Sequence, residues 1–125
     1  MKKQMISGLV MAAMFTTVQA VNDEYEEAIT QLKNQQYEQA LPTLQSLAEK
    51  GDSRSIFNLA IMYHSGVEVE FNEQKAVELY KIAAQNDVVE AQQYLAAGYR
   101  EGWWGLPMDY QKYRYWMDKA ENPEN

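Results

Sequence analysis

Between residues 23 and 122 the apolar side chains recur at steps of three and four, the spacing of a single buried face on a helix. Tyr25, Ala28 and Leu32 set such a stripe from about Asp23, and Asn34-Gln35-Gln36 reads as the turn that ends it. A second stripe follows in Tyr37, Ala40, Leu41, Leu44, Leu47 and Ala48, with Pro42 expected near the first turn, where the missing N–H matters least. Gly51 supplies a left-handed helix stop, and Asp52 or Ser53 a cap for the next helix. That helix should run to His64 with Ser55, Leu59, Ala60 and Tyr63 inward, and Gly66 should end it. After an acidic loop, Asn72 is placed to cap a helix that buries Ala76, Leu79, Tyr80 and Ala83. Asn86-Asp87 then reads as a second stop-and-restart, leading to Ala91, Leu95, Ala96, Tyr99 and Gly102. Asp109 is the expected cap of a last helix with Tyr113, Trp116, Met117 and Ala120 inward, and Pro123 prevents its continuation. No period-two run long enough for a strand occurs, so the fold class expected is all-α.

The pattern repeats. Leu59, Ala60, Tyr63 and Gly66 return as Leu95, Ala96, Tyr99 and Gly102, each 36 residues on (102 − 66). A period of that size marks stacked supersecondary units. The central copy reads Asn58-Leu59-Ala60-Ile61-Met62-Tyr63, Gly66, Val69, Asn72, Lys75-Ala76, Leu79-Tyr80 and Ala83-Ala84. The last copy reads Ala91, Leu95-Ala96, Tyr99, Gly102, Gly105-Leu106-Pro107, Asp109-Tyr110, Lys112, Trp116 and Lys119-Ala120. These residues resemble the Sel1-like repeat, a helix-turn-helix unit related to the tetratricopeptide repeat. The chain departs from the family pattern where Ala60 and Ala96 replace a Gly and where Glu68 replaces a loop Gly. Trp103-Trp104 is read as adding one residue to the last loop. The resemblance implies a short right-handed α-solenoid of about three antiparallel helix pairs, with units near 23–52, 53–87 and 88–122, and proteins of this kind mostly serve as adaptors.

The first twenty residues change the picture of the whole. Lys2-Lys3, the apolar run from Met5 to Phe15 and the small-residue site Val18-Gln19-Ala20 form a signal-peptide pattern, with residues 21–125 as the mature domain. The expected location is therefore the periplasm or the exterior, with no membrane insertion after cleavage. Without Lys2 and Lys3 the chain holds 9 basic residues (11 − 2) against 18 acidic ones. Such a charge disfavours binding to nucleic acid or to anionic lipid. The chain has no cysteine, which excludes a disulfide framework and thiol chemistry.

Candidate chemistry is sparse. His64 is the only histidine, and as the sequence neighbour of Ser65 at a helix end it does not build an oriented dyad. Glu68, Glu70 and Glu73 lack the Asp/Asn-rich spacing of a calcium loop and read as solvated charge, so no cofactor and no metal are expected. The sequence thus points to a non-enzymatic module for another protein or peptide segment. In stacked helix pairs the first helices line the inner face. Their outward positions here are Arg54, Phe57, Ile61 and His64, with Glu90, Gln93, Ala97 and Arg100 as counterparts 36 residues later. Trp103 and Trp104 stand beside them: one should anchor its loop and the other stay exposed as a contact residue. The ring-rich last helix (Tyr110, Tyr113, Tyr115, Trp116) suggests self-association at that end. Two further readings fit the composition, a periplasmic immunity protein that neutralises a toxin and a peptidoglycan or carbohydrate binder using the tryptophan pair.

Overall fold

The computed structural model describes residues 2–124, with side chains from Met14 to Glu124. Among the described residues there are six helices and no strand: α1 Lys2–Lys33, α2 Tyr37–Glu49, α3 Ser53–Ser65, α4 Glu73–Gln85, α5 Val89–Glu101 and α6 Tyr110–Glu121. No described helix is long and apolar enough to cross a membrane. The fold is the all-α, stacked helix-pair architecture expected from the repeat. Most of the apolar run from Met5 to Phe15, read above as part of a signal-peptide pattern, lies outside the residues whose side chains are described.

Five helices end alike. Gln35, Gly51, Gly66, Asp87 and Gly102 all take a left-handed conformation, with φ between +59° and +90°. After all five of these helices the next N–H reaches back five residues: Gln36 to Gln31, Asp52 to Leu47, Val67 to Met62, Val88 to Ala83 and Trp103 to Gly98. Starts are equally regular. Asp52 accepts from the Ser55 N–H, Asn72 from the Lys75 N–H, and Asp109 from the Gln111 and Lys112 N–H groups.

Contacts divide the chain into two units, Met1–Thr43 and Leu44–Asn125. In the first, α1 is longer than the stripe from Asp23 predicts: it runs unbroken from Lys2, because nothing between Ala20 and Asp23 breaks a helix already propagating. Ala28 and Ala40 are fully buried there. Pro42 sits past the first turn of α2 instead of within it, so the exposed Glu38 loses a helical donor for its carbonyl.

In the second unit, α3 packs on α4, α4 on α5 and α5 on α6. Ala60, Ala76, Val77, Tyr80, Ala83, Ala84, Ala91, Leu95, Tyr99 and Leu106 form one buried cluster. The two repeats share long-range details as well as residues. The Asn72 N–H donates to the Tyr63 carbonyl at 2.9 Å, as the Asp109 N–H does to the Tyr99 carbonyl at 2.8 Å. Lys75 lies over the Tyr63 ring and Lys112 over the Tyr99 ring.

Three readings need correction. Asp87 does not cap α5; it occupies the left-handed position of Gly51, and Val88 stands at the N-cap without a side-chain bond. The extra residue of the last loop is not the tryptophan pair. Glu68 (φ 57°) and Trp104 (φ 56°) remain 36 apart (104 − 68), while the caps Asn72 and Asp109 are 37 apart (109 − 72), so the insertion follows Trp104. Finally, no residue of α6 is fully buried: Tyr113 and Trp116 pack against the core cluster, but Met117 lines an outer hollow.

Candidate functional site: an aromatic face on α3, α4 and α5

The loop after α5 is pulled onto the helices by Trp104. Its ring reaches Gly98 on α5, where an added Cβ would lie 2.8 Å from Leu106 Cδ1 and 3.0 Å from Trp104 Cε3. Only a glycine lets the indole lie that close. One turn earlier on the same helix face, Tyr94 stacks on Trp104 with centroids 5.9 Å apart and on Tyr80 of α4 at 5.0 Å. Phe57 of α3 meets both tyrosines, at 5.8 and 5.9 Å. His64, at the other end of α3, stands edge-on to Trp104 at 5.1 Å, and its Nδ1 lies 3.2 Å from the Tyr80 hydroxyl.

Three helices and one loop therefore supply five rings linked by seven ring contacts, with centroids 5.0 to 6.4 Å apart, within the range where aromatic geometry adds stability beyond buried area. Ile61, His64, Ser65, Tyr80 and Tyr94 line an open hollow of about 290 Å³ on this face. Burial, and then the neighbouring Tyr94, push the Tyr80 hydroxyl well above the usual phenol range, so it stays protonated. With a neutral imidazole, Tyr80 O–H donates to His64 Nδ1 and leaves Nε2–H for a ligand. Ser65 offers no nucleophile beside it, because its hydroxyl donates to the Ile61 carbonyl at 2.8 Å. The chemistry available is stacking, apolar contact and one or two polar anchors.

The structure brings together Phe57, Ile61, His64 and Trp104 among the residues predicted to line a binding face. Trp103 contacts Trp104 and remains 49% exposed, so Trp104 is the loop anchor and Trp103 the outward ring. Arg54 is held on Asp52 at 2.8 Å. Glu90 and Gln93 are exposed on α5, and Ala97 is half-buried. Arg100 turns toward α6: it pairs with Glu101 at 2.6 Å and lies 5.7 Å from the Tyr113 ring. Tyr80 and Tyr94 are the site residues that sequence reasoning missed. Tyr80 falls in the buried stripe of α4, where its spacing marks it only as core. Tyr94 replaces Asn58 in the repeat register, and its signal was the combination with Gly98 four residues on, a large ring and a gap on one helix face.

No family model and no curated protein matches the sequence. Solved structures do. A Sel1 repeat protein from Oxalobacter formigenes is 28% identical with a TM-score of 0.61, over 67% of this chain and 63% of that one. A protective antigen present in uropathogenic Escherichia coli strains, which displays an SLR fold, is also 28% identical, with a TM-score of 0.71 over 84% of this chain. The chain spans only 23% of that antigen, and less than two thirds of either protein. The 36-residue register, the shared caps and lysine–tyrosine pairs, and these two likenesses agree: the chain has the repeat fold of these Sel1-like proteins.

Proposed function

We propose that this chain is an exported, non-enzymatic scaffold of the cell envelope, periplasmic or secreted, and that its aromatic face receives a segment of another protein. Stacked repeats of this kind are interaction modules, which supports the general role; fold alone does not choose the partner. The observation that carries the reading is the group of stacked rings around an open hollow, with Tyr94 and Ile61 still reachable by solvent. Large, rigid, part-exposed aromatic residues are what interface hot spots are made of. The charge balance makes a nucleic acid or an anionic membrane surface an unfavourable partner.

The test is affinity purification of the chain from envelope extracts, followed by binding measurements on the recovered partner. Tyr94→Ala and Ile61→Glu should each weaken that complex at least about tenfold, the scale of a hot-spot truncation, with helical circular dichroism unchanged. Arg54→Glu, at a residue already engaged with Asp52, should change it little. Undiminished binding by both aromatic-face variants would overturn the placement of the interface. A change in tryptophan fluorescence on adding envelope glycans, abolished by Trp103→Ala, would replace it with a sugar-binding reading.

A further inference from the structure

From Met14 to Ala20 every residue of α1 is exposed, the large apolar ones included: Met14 by 62%, Phe15 by 75% and Val18 by 60%. Protection begins at Val21 and Asn22, which are half-buried, and is complete at Ala28. The edge of the protected structure thus falls at the Ala20–Val21 bond, immediately after the small residues Val18 and Ala20. A second feature points to the same bond. Asp23, Glu24, Glu26 and Glu27 crowd the middle of the 32-residue helix, where no dipole end rewards them and where Asp23 and Glu27 repel one turn apart. At the start of a helix the same four carboxylates would be favourable.

We infer that Ala20–Val21 is a processing site whose cleavage turns the middle of α1 into a capped helix start, with Asp23 as the cap. The reaction is hydrolysis: water adds across the amide, leaving a carboxylate on Ala20 and an ammonium on Val21. The agent is an endopeptidase that reads small side chains at the first and third positions before the bond. It needs an extended substrate, and residues 14–20 can unwind without giving up buried contacts. In the intact helix the Gln19 side-chain amide donates to Asp23 Oδ1 at 2.9 Å. Cleavage removes Gln19 with the leader and frees that oxygen. Glu26, three residues on, completes the acidic pairing of a helix start. The acidic group also offsets the new ammonium, which would otherwise sit unfavourably at the positive end of the helix.

The inference rests on the export part of the reading above and not on the aromatic face, so the two can fail separately. The full chain is expressed in a bacterium with a general secretion pathway, and the soluble envelope fraction is weighed by intact-mass spectrometry. The expected species lacks residues 1–20 and begins at Val21. An intact chain, or an N-terminus elsewhere, overturns the site. Ala20→Glu, and separately Val18→Glu at an exposed position, should leave the leader attached. The cap is read by Asp23→Ala: in the processed protein Tm should fall by about 4 °C or more, the usual effect of losing a cap in a domain this size. In the uncleaved Ala20→Glu chain the same change should leave Tm in place or raise it. Equal falls in both forms, or none in the processed form, would overturn the cap.

Discussion

Gly98 is the smallest residue of the aromatic face and the one that decides its shape. Alanine there would gain up to about 1 kcal/mol in helix propensity. Against that, its methyl carbon would sit 2.8 Å from the buried Leu106 side chain and 3.0 Å from the rigid Trp104 ring. Overpacking of this kind costs about 1–3 kcal/mol. The clash should win because the indole is already fixed by Tyr94 and His64. Gly98→Ala is expected to lower Tm by a few degrees with helical content unchanged, measured by circular dichroism. A rise in Tm would mean that the loop moves freely and that Trp104 does not hold the face together. This single residue also shows what was hidden in the sequence. Leu95, Ala96 and Tyr99 announce the buried side of α5 by their spacing, but Gly98 has no side chain to place. Only the ring that fills the space above it, ten residues from Tyr94 in the chain, gives it meaning.

At the level of helices, the ends carry the information. Asp52, Asn72 and Asp109 were legible as caps because a short polar residue before an apolar run has one common use, and each accepts the expected N–H. Gln35 and Asp87 were less legible as left-handed stops, since that conformation favours glycine and nothing local in the sequence marks an exception. Asp52 also makes the start of α3 sensitive to acid. Burial alone would raise its carboxyl, but the Arg54 guanidinium and then the Ser55 N–H and hydroxyl outweigh that and hold it below the usual carboxylate value. A lowered folded-state pKa contributes stability above the unfolded value, about 3.9, and loses it as pH falls through the folded one. Asn at this position keeps an acceptor for the cap but removes the charge. Asp52→Asn should therefore be slightly less stable than the parent at pH 7, by a few tenths of a kcal/mol to about 1 kcal/mol, given that Arg54 is partly exposed. That gap in Tm should close as the pH is taken below about 4. A gap that persisted to pH 2 would show that the hydrogen bonds, not the charge, are what Asp52 supplies.

The repeat register also says how the chain behaves as a particle. On α4, Tyr80 stacks on Tyr94, the Ala84 carbonyl receives the buried Gln92 amide, and Val77 shares a hollow with Leu106; together they make the face that meets the next repeat. The 37-residue spacing of the caps puts Arg114, Met117 and Glu121 at the corresponding positions of α6. Those residues line the outer hollow of about 640 Å³ on that helix together with Tyr110 and Tyr115. Two of the three stacking positions have therefore become charged, and charged side chains on an outer helix face favour contact with water over a further helix. The rings of α6 made self-association a fair expectation from sequence, but stacking a further helix there would desolvate Arg114 and Glu121 without the apolar gain that Val77 and Ala84 provide on α4. The parent chain should accordingly sediment as a species that does not associate through this face at micromolar concentration. Arg114→Val with Glu121→Ala restores the α4 pattern around Met117 and leaves it uncovered, so this double variant should self-associate with rising concentration while each single variant does so less. If the double variant sediments as the parent does at every concentration, the face on α6 is not a stacking surface and the register comparison fails there.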